Sequence, residues 1–307
     1  MACKRDEKYK YKYNLIMLKR LFSSQSTSVL GPVCVVVGGT RGIGLSMAKE
    51  WYDKYRGIEN SHLYLCGRTQ PVNNELYNKL IHKKNVSAIK LDLTQEDSIA
   101  YAAKKIQEQT PLIDYLINTA GYLHSYDKKT NKPSDIFPNL PERSFKHITM
   151  DGMIHTFTIN AFASALLIKE FYQGLNQAGR KGYRKLTYNK PPVFAALSAR
   201  VASITENESG GWTSYRASKT ALNMILKNAH YEFRKGLTNK QQQVSFLALH
   251  PGTVDTDLSA PFQKMAKKKY TILTPQQSAE KLFHIVTESD QHDSGQFYDY
   301  NKDTIQY

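Results

Sequence analysis

The stretch Val33-Cys34-Val35-Val36-Val37-Gly38-Gly39-Thr40-Arg41-Gly42-Ile43-Gly44 joins a short apolar run to a helical pattern through a glycine-rich turn. Gly38 permits a sharp turn, Gly42 lets the backbone approach a pyrophosphate, and Gly44 lets helix and strand pack closely. The N-terminus of the following helix presents N–H groups to an anion. A glycine trio alone is usually only a turn, but between a strand and a helix it predicts a dinucleotide-binding loop. The predicted cofactor contacts in this loop are Gly38, Thr40, Arg41, Gly42, Ile43 and Gly44.

Beyond this turn, short apolar runs alternate with helical patterns, which is typical of repeated βα units and a parallel sheet. The predicted strands are Val33–Val37, His62–Cys66, Val86–Leu91, Tyr115–Asn118, Val193–Ser198, Val244–Leu249 and Gly295–Tyr300. The predicted helices are Gly44–Tyr55, Gln95–Gln109, Gly152–Gly174, Trp212–Lys235 and Pro275–Glu288. The pattern predicts an α/β fold, with residues 31–307 forming one doubly wound Rossmann-type domain whose seven-stranded parallel sheet is flanked by helices.

The composition fits a globular chain. At 307 residues, with 41% hydrophobic and 22% charged residues, the chain can bury a sizeable core. The longest clean apolar run, Val33 to Val37, is too short to cross a bilayer, so no membrane span is expected. Three cysteines, Cys3, Cys34 and Cys66, cannot form a disulfide framework, which favours a reducing compartment.

The net charge of +15 raises the question of an anionic partner. The basic residues are spread over the N-terminal arm 1–30, a loop at 180–190 and the run 264–269, with no nucleic-acid-binding motif near them. We therefore expect no nucleic-acid partner, and binding to an anionic surface is a minor alternative. The arm resembles a mitochondrial transit peptide, although Asp6 and Glu7 weaken the match, so the expected location is cytoplasmic, or mitochondrial if the arm is a targeting signal.

Tyr215 and Lys219 lie four residues apart within a predicted helix, which places both side chains on one face. An ammonium beside a phenol favours the phenolate and is expected to lower the phenol pKa. A tyrosine in this setting can give or take a proton. In a chain with 20 tyrosines and 42 lysines and arginines, however, such pairs also arise by chance on solvated helix faces.

The end of the second strand bears on cofactor choice. A carboxylate there would bond the free 2′-hydroxyl of NAD, but this strand runs into Arg68. Arg68 together with Arg41 suits a 2′-phosphate through charge-assisted hydrogen bonds, so the predicted cofactor is NADP(H). Either arginine alone could be an ordinary surface residue.

The motifs of the sequence resemble those of a known family. The glycine turn, the run Asn118-Thr119-Ala120-Gly121, and Tyr215 with Lys219 are similar to the short-chain dehydrogenases/reductases over residues 32–307. Further motifs resemble the C-factor-like and sniffer-like carbonyl reductase branch: Pro141-Glu142-Arg143-Ser144, Ser198-Ala199-Arg200-Val201, Gly211-Trp212, the segment 250–258 and the segment 295–299. The resemblance implies NADPH-dependent reduction of an aldehyde, ketone or quinone, with Tyr215 as proton donor. The alternative is an NADP-binding regulatory or signalling protein of the C-factor type with little turnover.

The resemblance also implies further cofactor contacts. They are Asp92, Leu93, Asn118, Ala120, Gly121, Tyr215, Lys219, Pro251, Gly252 and Val254. Asp92 would hold the adenine amino group, but it could instead cap the next helix. Pro251 and Gly252 would pass beside the nicotinamide, but could form only a turn.

The implied catalytic residues are Tyr215, Lys219, Asn160 and a serine. Lys219 would also bond the nicotinamide ribose, and Asn160 would hold a water that links the lysine to solvent. An asparagine in mid-helix can alternatively bond a neighbouring carbonyl.

The serine departs from the family pattern, because the position expected to carry it reads Ala199. Ser198 could serve if the strand end shifts, although a one-residue step turns a side chain to the opposite face. Ser203 is the second candidate.

Substrate contacts are expected from Tyr122, Leu123, His124, Trp212 and the segment after Thr256, which suggest an apolar carbonyl substrate. His124 and His250 lack partners at metal-ligand spacing, so no metal is predicted. The family resemblance implies a homodimer or homotetramer.

Overall fold

The computed structural model describes residues 31–71, 73–124, 140–179, 190–235, 244–267 and 271–307, together with the backbone of 126–127 and 132–133. The basic arm 1–30, on which the targeting prediction rests, lies outside these residues, as does most of the basic loop 180–190.

Seven parallel strands form the central sheet. They are β1 Val33–Val37, β2 His62–Gly67, β3 Val86–Lys90, β4 Tyr115–Asn118, β5 Val193–Leu197, β6 Ser245–His250 and β7 Gln296–Asp299. Their order is β3-β2-β1-β4-β5-β6-β7, with every neighbouring pair parallel. The sequence-based prediction of a seven-stranded, doubly wound parallel sheet is confirmed. The strand order reverses between β1 and β4, and the crevice at such a switch point is where ligands bind in open α/β sheets.

Both faces of the sheet are covered, which explains why the strands are continuously apolar. In β1, Val33, Val35 and Val37 belong to one core cluster, while Cys34 and Val36 belong to the other. All five residues are at most 5% exposed.

In the described part of the chain, seven helices of at least seven residues flank the sheet: α1 Gly42–Tyr55, α2 Glu75–Ile81, α3 Glu96–Gln109, α4 Met150–Phe157, α5 Ala163–Ala178, α6 Thr213–Arg234 and α7 Pro275–Glu288. Short helical turns occur at Phe145–His147, Arg200–Ala202, Ala260–Phe262 and Gln263–Ala266. The apolar sides of α3, α5 and α6 pack on one face of the sheet, and those of α1, α2 and α7 pack on the other. Two-residue strands pair at Tyr126–Asp127 with Lys132–Pro133 and at Thr253–Val254 with Ile272–Leu273.

One predicted helix differs from the observed structure in a way that bears on the site. The segment expected to be a helix over Gly152–Gly174 begins at Met150, where the Thr149 side chain caps it, and ends at Ala178. Between α4 and α5 it widens into a π-helical turn at Thr158–Phe162. Such turns often occur at functional sites. The short helix α2, with its Asn74 cap, was not predicted.

Within the described part of the chain, no helix combines the length and apolar character needed to cross a membrane.

Candidate active site

The glycine turn after β1 has the geometry that its sequence predicts. Gly42 adopts a φ of +55°, which residues with a Cβ rarely do. A Cβ at Gly44 would lie 2.3 Å from Thr119 Oγ1 and 2.4 Å from the carbonyl oxygen of Gly38. The first turn of α1 therefore packs directly against the ends of β1 and β4. This close approach requires glycine at position 44.

Arg41 extends from this turn to Asp257. Arg41 Nη1 lies 2.6 Å from Asp257 Oδ2, and the side chains are 68% and 50% exposed. The ion pair joins the glycine turn to the segment that follows β6. Arg68 is exposed at the end of β2, where the preceding Gly67 lies close to the side chain of Thr40. Both arginines thus lie at the same carboxyl edge of the sheet, on either side of the turn.

Asp92, which follows β3, forms a local turn. Its Oδ1 accepts hydrogen bonds from Thr94 N at 3.0 Å and Thr94 Oγ1 at 2.8 Å. Burial opposes ionisation, but these bonds and the charge of Arg68 leave the pKa of Asp92 below its usual value. The α3 N-cap is Gln95, so Asp92 does not occupy the N-cap position itself. The anionic form of Asp92 is available at the edge where adenine contact is expected, beside Leu93.

Asn118 fixes the end of β4. Its Nδ2 donates to Ser164 Oγ at 3.0 Å, and its Oδ1 accepts from Ala120 N at 3.1 Å. The chain then passes directly beside the proposed catalytic groups, because a Cβ on Gly121 would lie 3.5 Å from Lys219 Nζ and 3.8 Å from Asn160 Oδ1. Gly121 and Lys219 thus border the same space.

Tyr215 and Lys219 are buried together on α6, with 9% and 2% of their surfaces exposed. Lys219 Nζ lies 5.9 Å from the centre of the Tyr215 ring. The ammonium donates a hydrogen bond of 2.7 Å to the main-chain carbonyl of Leu197, the last residue of β5. The pair therefore lies beside the carboxyl edge of the sheet.

The predicted fall in the Tyr215 pKa is not what this environment produces. Burial raises the pKa of Tyr215 well above its usual value, and burial lowers the pKa of Lys219 to about 7. Desolvation penalises the charged form of each group, and this penalty exceeds the attraction between them. The phenol is consequently held in its protonated form at neutral pH.

Asn160 lies in the π-helical turn and ties the loop after β4 to α6. Its Oδ1 accepts from Tyr122 N at 2.7 Å, and its Nδ2 donates to Tyr122 O at 2.8 Å and to Ser218 Oγ at 3.0 Å. Ser218 Oγ in turn donates to the carbonyl of Tyr215 at 2.8 Å. The Asn160 side chain thus positions protein groups, and its role in holding a water stays a prediction.

Both candidate serines are hydrogen-bonded to groups other than Tyr215, so the assignment of Ser198 or Ser203 to the active site stays a prediction. Ser198 Oγ donates to Asn223 Oδ1 at 2.7 Å, and Ser203 Oγ accepts from Glu206 N at 3.0 Å. Ala199 instead packs in the cluster that contains Tyr215 and Leu123. Ala199 is extended, with φ −148° and ψ 143°, so adjacent side chains face opposite ways. A methyl group therefore occupies the place expected for the serine hydroxyl.

An apolar wall surrounds Tyr215. The Trp212 ring lies 6.3 Å from Tyr215 and 4.9 Å from Phe262, and His124 lies 5.7 Å from Phe262, measured between ring centres. The wall consists of Leu123, Ala199, Val201, Trp212, Leu258 and Phe262. The predicted contact Tyr122 lies elsewhere, since its ring meets His155 edge-on at 4.5 Å. The wall favours an apolar substrate group.

The segment after β6 covers the glycine turn. Gly252 has a φ of +80°, and the carbonyl of Pro251 accepts a hydrogen bond from Ser278 Oγ at 2.8 Å. Val254 is 4% exposed in the short pairing with Ile272–Leu273. A Cβ on Gly42 would lie 3.8 Å from the methyl group of Thr256. The predicted turn at Pro251–Gly252 therefore directs the chain back over the crevice.

Two contacts of the site could not be predicted from the sequence. The hydrogen bond from Lys219 to Leu197 ends on a main-chain carbonyl, so the residue type at position 197 gives no indication of it. The Glu142 carboxylate accepts hydrogen bonds from Ser214 at the beginning of α6, and an acidic residue beside Pro141 gives no sequence signal for this contact. Among the described residues, no group of three or more His, Cys, Asp or Glu side chains is placed to hold a metal ion.

The structure combines a parallel sheet whose strand order reverses between β1 and β4, a glycine turn leading into α1, and a buried tyrosine–lysine pair. These features define a protein of the dinucleotide-binding fold. Comparison with known proteins agrees with this class. A model of the family described as short chain dehydrogenase matches residues 32–182.

Whole-chain relatives extend the match. An uncharacterized oxidoreductase of Schizosaccharomyces pombe is 25% identical over 285 residues, covering 90% of this chain and 98% of the relative. The protein C-signal of Myxococcus xanthus is 28% identical over 149 residues, covering 48% of this chain and 74% of its own. The structure of an NADPH-bound carbonyl reductase from chicken fatty liver superposes with a TM-score of 0.67 at 21% identity, covering 91% of this chain and all of the other. At 21% identity, the similarity to the chicken protein shows a shared fold and nothing more.

The chain belongs to the short-chain dehydrogenase family, and it is an oxidoreductase of that family.

Proposed function

We propose that the protein is an NADPH-dependent reductase that converts an apolar aldehyde, ketone or quinone to its alcohol. The observation that carries this proposal is the buried pair of Tyr215 and Lys219, whose ammonium lies next to Gly121 in the crevice and is bonded to the end of β5. An apolar wall on the other side of Tyr215 offers a place for the substrate.

The residues at the carboxyl edge fit a dinucleotide phosphate. The glycine turn and the N-terminus of α1 would hold the pyrophosphate, and Arg41 and Arg68 supply positive charge for a 2′-phosphate. Asp92, Leu93, Asn118, Ala120 and Gly121 would line the adenosine side, and Pro251, Gly252 and Val254 the nicotinamide side. The chicken relative of the same fold is NADPH-bound, which supports the choice of cofactor.

When bound at this site, NADPH would supply the hydride that the carbonyl carbon accepts. Tyr215 gives its phenolic proton to the carbonyl oxygen as that oxygen becomes an alkoxide, a type of acid catalysis worth about 10²- to 10⁴-fold. The phenol is protonated at neutral pH, and because burial raises its pKa, the loss of its proton depends on the nearby positive charge of Lys219. Lys219 then stabilises the phenolate through its positive charge. Since the pKa of Lys219 is lowered to about 7, this amine can also exchange a proton near neutral pH.

Ala199 leaves the substrate oxygen without the second hydroxyl that the family resemblance implies. Tyr215 would therefore orient the carbonyl with help from the apolar wall around Trp212 and Phe262. Asn160 contributes by holding the Tyr122 main chain and Ser218 in place.

The second candidate is an NADP-binding regulatory protein of the C-factor type with little turnover. The methyl group at Ala199 and the similarity to C-signal over half the chain favour it.

The two candidates are separated by incubating the purified protein with NADPH and a panel of aldehydes, ketones and quinones, and following the near-ultraviolet absorbance of NADPH. The reductase predicts a loss of absorbance that Tyr215→Phe abolishes. NADPH binding without a Tyr215-dependent loss of absorbance favours the regulatory protein. Assembly into a dimer or tetramer, and the cellular compartment, stay predictions.

A further inference from the structure

Glu142 places a buried carboxylate against the beginning of α6. Only 1% of its surface is exposed. Its Oε1 accepts a short hydrogen bond from Ser214 Oγ, and its Oε2 accepts from Ser214 N at 3.3 Å. Ser214 directly precedes Tyr215.

The main chain of Glu142 binds the same stretch. Its carbonyl oxygen accepts a hydrogen bond of 2.6 Å from Trp212 N. Trp212 adopts the left-handed conformation, with φ 52° and ψ 39°, which is rare for a bulky side chain and costs about 1–3 kcal/mol unless the surroundings impose it. Glu142 thus makes three hydrogen bonds to the segment Trp212–Ser214.

These bonds replace the usual helix cap. A helix is commonly capped by the side chain of its own N-cap residue, but the N-cap of α6 is Trp212, which makes no side-chain cap hydrogen bond. The cap comes instead from Glu142, 72 residues earlier in the chain. A carboxylate is favoured here because the N-terminus of α6 carries partial positive charge. The contact couples the segment before α4 to the helix that carries Tyr215 and Lys219.

We propose that Glu142 is a positioning residue for the active site. Its main-chain carbonyl bonds Trp212, and its carboxylate fixes Ser214 two residues later. Through Ser214 the carboxylate helps to keep Trp212 in its strained conformation, with the Trp212 ring against Tyr215 and Phe262 as part of the substrate wall. The inference rests on the proposed reductase function, because Glu142 acts on the substrate through Trp212. A cap of purely structural importance would affect stability alone, whereas a positioning residue affects KM more than kcat.

The test uses Glu142→Ala and Glu142→Gln, with the exposed Glu75→Ala as control. The glutamine can keep hydrogen bonds to Ser214, while the alanine cannot. Measured well below the unfolding temperature, Glu142→Ala is expected to raise KM about fivefold, the size expected for the loss of one helix cap, with a smaller change in kcat. Glu142→Gln is expected to stay within about twofold of the wild type. If Glu142→Ala does not fold, Ser214→Ala removes one of the bonds and should raise KM in the same direction.

Tryptophan fluorescence gives a readout that does not depend on turnover. The chain has 2 tryptophans, and the other, Trp51, is fully buried in the opposite core cluster. Subtracting the emission of Trp212→Phe therefore isolates Trp212. In Glu142→Ala the Trp212 emission should shift to longer wavelength and become more open to acrylamide quenching, and Glu142→Gln should restore both.

Wild-type KM and Trp212 emission in folded Glu142→Ala would overturn the inference, as would a glutamine variant no closer to the wild type than the alanine variant. If the wild type consumes no NADPH with any carbonyl, the proposed function fails, and the emission data still decide whether Glu142 holds Trp212.

Discussion

The ammonium of Lys219 is hydrogen-bonded to the carbonyl oxygen of Leu197 at 2.7 Å, while it lies 5.9 Å from the ring centre of Tyr215. The lysine is therefore anchored to the end of β5, and α6 is tied to the carboxyl edge of the sheet. Burial dominates the ionisation of both side chains, because it raises the pKa of Tyr215 and lowers the pKa of Lys219 to about 7. The phenol is therefore protonated, as a proton donor in a reduction must be, but burial makes it a weaker acid than an ordinary tyrosine.

Removal of the Lys219 charge should stabilise the fold in a pH-dependent way. In the folded chain the Lys219 pKa is about 7, against 10.5 for an ordinary lysine. Between these values the unfolded chain binds more protons, so wild-type stability rises with pH, and the full penalty of burying the charge applies below pH 7. The free energy of unfolding of Lys219→Met should therefore exceed that of the wild type by up to roughly 5 kcal/mol at low pH. The loss of the hydrogen bond from Lys219 to the Leu197 carbonyl reduces this gain.

Urea unfolding of wild type and Lys219→Met without cofactor, from about pH 6 to about pH 10, checks this prediction. The stability difference should shrink as the pH rises through this window. Lys79→Met, whose side chain is 68% exposed, serves as control. A difference that does not change with pH would mean that Lys219 titrates normally in the folded protein.

Introduction of a hydroxyl at position 199 should increase activity. Ala199 packs in the cluster around Tyr215, so a serine there would offer a second hydrogen bond to the substrate oxygen. Removing one such donor typically costs about 10²- to 10³-fold in kcat, so Ala199→Ser is expected to raise kcat/KM for simple ketones by about tenfold. Ser198→Ala is the matched control and should change kcat/KM less than about threefold, because its hydroxyl is bonded to Asn223. Loss of activity in Ser198→Ala, with no gain in Ala199→Ser, would instead identify Ser198 as the donor.

Asp257 should compete with the cofactor phosphate for Arg41. The two side chains form an exposed ion pair at 2.6 Å, and exposed pairs contribute up to about 1 kcal/mol. Asp257→Asn should therefore tighten NADPH binding by at most about fivefold and leave NADH binding unchanged.

Arg68→Ala should weaken the binding of NADPH more than the binding of NADH. Fluorescence titrations at low salt measure both effects, with Asp53→Asn, from the surface pair with Lys49, as control. Equal shifts for NADPH and NADH would exclude a 2′-phosphate role for these residues.

The parts of the protein that follow from local sequence patterns could be predicted. Local patterns predict the buried strand Val33–Val37 and the glycine turn that follows it. The four-residue spacing predicts that Tyr215 and Lys219 share one face of a helix. The structure contains all three features. The parts that depend on distant contacts could not. No local pattern shows that Glu142 caps a helix 72 residues away, that Lys219 bonds the main chain of Leu197, or that desolvation outweighs the attraction between Tyr215 and Lys219. The π-helical turn in the long helix contains Asn160, whose side chain bonds the main chain of Tyr122, and propensity alone does not show this distant contact.

The most direct test of the reductase assignment follows the hydrogen atoms themselves. NADPH carrying two deuterium atoms at nicotinamide C4 is incubated with the protein and an apolar aldehyde that it consumes, and the product is analysed by mass spectrometry. We predict an alcohol with one deuterium on the former carbonyl carbon of an aldehyde, formed by the wild type and reduced at least about 10²-fold in Tyr215→Phe. Equal rates of deuterium transfer by the wild type and Tyr215→Phe would contradict the central role of Tyr215, and no transfer to any substrate despite tight NADPH binding would contradict the reductase itself.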